Sequence, residues 1–180
     1  MPAREIRLAV TTEDRRIAAL AALAVGLSLA EAAVPTPIPG VKPGLANIVI
    51  LLVMLRYGLA ASVWVMAIRL LAAGLMLGSF LSPGFWLAAA GAAASMGVLC
   101  LVRYLPNALF GPVTFSVSMA FAHVAGQLVL AKLWLFAVAD ISLLVPVFAL
   151  AALVFGAVNG LIVARLIADE RMPGAQSAHA

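Results

Sequence analysis

Residues 141–166 read ISLLVPVFALAALVFGAVNGLIVARL, an apolar run in which Arg165 is the sole charged residue. As an α-helix rising about 1.5 Å per residue, it is long enough to cross a hydrocarbon core of roughly 30 Å. Pro146 lies near its start, where the first turn has no use for the missing N–H. Read outward from this run, the chain shows five more apolar segments separated by proline, glycine and charge. They cover about 17–34, 45–55, 59–78, 85–102 and 113–138.

The composition agrees with that reading. Hydrophobic residues make up 66% of the 180 and charged ones 10%, with a mean hydropathy of +1.18; soluble domains carry roughly 25% charge. So little polar surface cannot cover a core in water. The expectation is an all-α integral membrane protein of about six transmembrane helices. It divides into an N-terminal segment 1–16, a membrane domain 17–166 and a flexible tail 167–180. The first apolar run follows Arg4, Arg7, Arg15 and Arg16 as a signal peptide would. It meets Glu31 and Pro35 where small residues would mark a cleavage site, so it reads as a retained span.

Charge placement sets the orientation. With the N-terminus inside, Arg4, Arg7, Arg15, Arg16, Arg56, Arg103, Arg165 and Arg171 fall on the inner side, and Lys42 and Asp140 fall outside. The positive-inside rule then puts both termini in the cytoplasm, with the inner cell membrane as the location. The net charge of +4 comes from basic residues scattered singly between apolar runs. No basic stripe follows a phosphate backbone, so no nucleic-acid partner is expected.

The second span is irregular. Its roughly 11 apolar residues rise only about 16 Å, and Pro35 to Gly44 precede it. Irregular backbone at membrane depth is tolerated only where protein buries it or it lines a cavity, so a site is expected at 40–44. Polar residues inside spans point the same way. Glu31 lies near the outer end of the first span, Lys42 and Asn47 flank the start of the second, and Arg69 sits near the middle of the third. His123 and Gln127 share one face of the fifth, with Lys132 nearer the outer end. Two readings stand for Glu31, Lys42, Asn47, Arg69, His123 and Gln127. They form a binding site for a polar or anionic small molecule in a cavity that opens outward, or they pair with each other and join the helices.

A second pattern concerns partners. Ala18, Ala22, Gly26 and Ala30 recur every four residues on the first span, as do Ala152, Gly156, Gly160 and Ala164 on the sixth. Such stripes let helices approach closely in lipid, either within the bundle or against another membrane protein. No P-loop, nucleophile elbow or metal-ligand set is present, and the adjacent acidic pairs are Glu13-Asp14 and Asp169-Glu170, in the charged ends. Cys100 is a lone thiol in an apolar run. No catalytic residue, metal or cofactor is expected, and the chain cannot power transport by hydrolysing ATP itself.

The run from Pro35 to Asn47, with its Pro-Gly-Val-Lys-Pro-Gly-Leu-Ala-Asn core, resembles the signature of the Gx transporter family, also called heptaprenyl diphosphate synthase component I. Arg69, Ser82-Pro83, Ala122-His123 and Gly126-Gln127-Leu128 match as well, and the resemblance covers about 17–166. It implies a six-helix bundle similar to the S components of energy-coupling-factor transporters. Such subunits capture a vitamin-like nutrient from outside and dock on a transmembrane coupling subunit and ATPase through an Ala-xxx-Ala motif, fitted here by Ala18, Ala22 and Gly26. The leading expectation is the substrate-binding subunit of such an uptake system. The alternative is a non-catalytic accessory subunit of isoprenoid or menaquinone synthesis, or of a membrane redox complex. It would serve a prenyltransferase or redox partner.

Overall fold

The computed structural model of the chain describes residues 10–35, 42–102, 104, 110–135 and 141–170. All regular structure among them is helical. The helices are α1 (Thr12–Ala33), α2 (Ala46–Tyr57), α3 (Leu59–Met76), α4 (Pro83–Val102), α5 (Pro112–Leu130) and α6 (Leu144–Glu170), and a short π-helical turn, Ala131–Leu135, extends α5. Five of these stretches are long and apolar enough to cross a membrane, and α2 is the short apolar exception. The chain is a multi-pass membrane protein. The expected ends 1–9 and 171–180 lie outside the described residues, and α6 continues as helix through 167–170.

Local chemistry fixes several boundaries. Thr11 and Asp14 form a reciprocal capping box that starts α1 five residues before the apolar run. Pro112 sits at the first turn of α5, where its fixed φ favours helix entry. Between α2 and α3 the chain turns through Gly58 alone, at φ 86°, a conformation that a side chain would strain. Extra backbone in the π-turn after Leu130 widens the helix and carries Lys132 and Trp134 outward.

Packing explains the short second helix. Ala46, Val49, Ile50, Leu51, Val53 and Met54 of α2 are all buried and Ile48, Leu52 and Leu55 half-buried, so most of its surface is covered by protein. It contacts α1, α3, α5 and α6, while α5 packs most extensively on α4 and α6. A helix apolar all round belongs in the interior. The outer helices instead expose large side chains: Trp64, Ile68, Leu71 and Leu75 on α3, and Leu150, Leu153, Val154, Val158 and Leu161 on α6. In water such a surface would drive aggregation; in a bilayer it is the solvent-matched face.

Candidate functional site

The site is built around the turn that leads into α2. Gly44 has φ 71° and reverses the chain there, and its carbonyl accepts the Asn47 N–H at 2.9 Å. The turn leaves half-buried backbone groups that side chains from other helices satisfy. Glu31, buried near the end of α1, accepts the Leu45 N–H on its Oε1. From α6, buried Asn159 donates through Nδ2 to the Pro43 carbonyl at 3.0 Å and the Gly44 carbonyl at 3.2 Å. The turn is thus clasped by helices from both ends of the chain.

Arg69 of α3 approaches the same place and donates from Nη1 to Asn47 Oδ1 at 2.9 Å. Glu31 and Arg69 lie within Coulombic range of each other, and the Lys42 charge also reaches Glu31. Opposite charges at one depth lower the cost of holding either in a medium of low dielectric. The guanidinium carries five N–H donors, and one nitrogen goes to Asn47. Its other donors can take a second acceptor.

On α5, His123 and Gln127 meet through their Nε2 atoms at 3.2 Å. The His123 ring lies over Gly91 of α4 so closely that a Cβ there would stand 2.8 Å from Cδ2, Cε1 and Nε2. His123 Nδ1 is buried, and among the described residues it has no hydrogen-bond partner. Nearby, Ser95 Oγ donates to the Met119 carbonyl at 3.0 Å and joins α4 to α5.

Of the residues expected from sequence, Glu31, Asn47 and Arg69 meet at the turn, and His123 and Gln127 form a neighbouring pair. Lys42 is exposed beside the turn, and Lys132 is exposed on the π-turn. Ala18, Ala22 and Gly26 are exposed along α1. Asn159 was not expected. A lone asparagine in the most apolar span was the available signal, but no second polar residue three or four positions away marks its face.

The conserved-family description Heptaprenyl diphosphate synthase component I matches residues 20–166. The chain belongs to this family. No curated protein and no solved structure matches it. The component I match runs from Leu20, two residues past Ala18 of the small-residue row, to Leu166 in α6, so the turn and all its clasping side chains fall inside it.

Proposed function

We propose that this component I protein is a non-catalytic subunit in the inner cell membrane that serves isoprenoid or menaquinone-tail synthesis by seating a separate prenyl-transferring partner. The observation that carries this reading is the family match over 20–166, whose description names one component of a synthase. The chain's acidic pairs, Glu13-Asp14 and Asp169-Glu170, stand at the start of α1 and the end of α6. Asp14 is engaged in the α1 capping box and Glu170 pairs with Arg56, so we assign the prenyl-transfer chemistry to the partner. Two surfaces support an accessory role. The row Ala18, Ala22 and Gly26 faces outward and offers a flat seat for a partner helix. An apolar hollow of about 180 Å³ between Trp86, Leu130 and Trp134 offers room for part of a lipid-like chain.

A second reading, the substrate-binding subunit of an uptake system, is favoured by the polar network at the turn. Glu31, Asn47 and Arg69, with His123 and Gln127 adjacent, gather costly groups at one place. There Arg69 would meet the anionic part of a small molecule, and a coupling subunit with its ATPase would replace the synthase as partner.

One preparation separates the two. Native mass spectrometry of the purified protein, followed by copurification from its own membranes, should show a prenyl-transferring enzyme and a retained isoprenoid or quinone. Arg69→Ala should leave both in place. If the protein instead carries a small polar molecule that Arg69→Ala releases while helicity is unchanged, the accessory reading fails and the uptake reading stands.

A further inference from the structure

A second cavity, of about 350 Å³, lies away from the turn, where α1 begins and α2 ends. It is lined by Thr12, Glu13 and Arg16 of α1 and by Arg56 and Tyr57 of α2. Arg56 also pairs with Glu170 at the end of α6. The level is distinctive: Arg16 is the last charged residue before the apolar part of α1, and Tyr57 is the last residue of α2. Arginine and tyrosine at such a position mark the zone where hydrocarbon gives way to lipid headgroups.

The charges decide what fits. A simple anion drawn by Arg16 and Arg56 would lie against Glu13, and a simple cation drawn by Glu13 would lie against two guanidinium groups. A group carrying both signs a few bonds apart satisfies all three. We infer that this cavity holds the headgroup of a zwitterionic phospholipid, phosphoethanolamine, with its phosphate on Arg16 and Arg56 and its primary ammonium toward Glu13. Guanidinium forks match phosphate oxygens in pairs, and Arg56 keeps donors beyond those that face Glu170. The Thr12 and Tyr57 hydroxyls complete a polar rim, and the acyl chains run down the exposed apolar face of α1, past Leu23. This site does not depend on the proposed function, and either outcome below leaves that reading as it was.

The test is lipid retention in native mass spectrometry after reconstitution with phosphatidylethanolamine, phosphatidylglycerol or phosphatidylcholine. The wild type should keep phosphatidylethanolamine over either of the others by roughly fivefold or more. Arg16→Gln should lose retention, and Glu13→Gln should keep it but hold phosphatidylglycerol as well as phosphatidylethanolamine. Arg15→Gln, a matched loss of charge outside the lining, should behave as the wild type, and far-UV circular dichroism should show all variants equally helical. Equal retention of the three lipids by the wild type, a preference for phosphatidylglycerol, or unchanged retention by Arg16→Gln would each overturn the assignment.

Discussion

Along α1, Ala18, Ala22, Gly26 and Ala30 line up every four residues and are all exposed; along α6, Ala152, Gly156, Gly160 and Ala164 keep the same spacing and are pressed inward. A Cβ on Gly26 would meet nothing within 4 Å, whereas one on Gly160 would stand 2.5 Å from Val113 Cα and one on Gly156 2.9 Å from Val117 Cα. The contrast shows that spacing creates a flat surface, and the neighbours decide its use. In lipid there is no hydrophobic force between helices, so a flat surface gains only from close contact. On α6 that contact is α5, and on α1 the row stays exposed, the seat proposed above for a partner.

The comparison can be broken most sharply at Gly160. Gly160→Ala forces a methyl group into α5 backbone that cannot yield, and should cost about 3 kcal/mol, read as a lower melting temperature in detergent. If the variant melts like the wild type, the close α5–α6 approach is wrong. Asn159→Ala comes next, because the Pro43 carbonyl loses its donor and the Gly44 carbonyl keeps only the Asn47 N–H; about 2 kcal/mol is expected. Hydrogen exchange should also rise at Leu45 and Asn47. Gly156→Ala should cost about 1 kcal/mol, since its contacts are looser and alanine's helix preference offsets part of the crowding. Gly26→Leu should leave the melting temperature within about 0.5 kcal/mol of wild type yet abolish partner copurification. Retained copurification would remove α1 as the docking face.

Much of this architecture was legible in the sequence. Apolar runs and their Pro, Gly and charge breakers put six helices within a few residues of where they lie, including the shortened α2. The central place of α2 was not legible, because Ile50, Leu51 and Val53 suit lipid and protein interior equally well. Nor could spacing tell the buried row on α6 from the exposed one on α1. At the site, the expensive residues Glu31 and Arg69 announced themselves by charge. Asn159 did not, because no other polar residue shares its helical face at a spacing of three or four and its partners are backbone groups remote in the chain.

The clasped turn has a consequence for how the protein is made. Glu31 precedes Leu45 by 14 residues, so the first hold on the turn is available as soon as α2 emerges from the ribosome. Asn159 follows Pro43 by 116 residues, and the Pro43 carbonyl at the mouth of α2 waits for it until nearly the whole chain has been translated. The shortest helix is therefore among the earliest to be synthesised and the last to be completed. Truncation before α6 should leave a nascent chain whose second span is poorly retained by the insertion machinery, with quality-control proteases as its first reader.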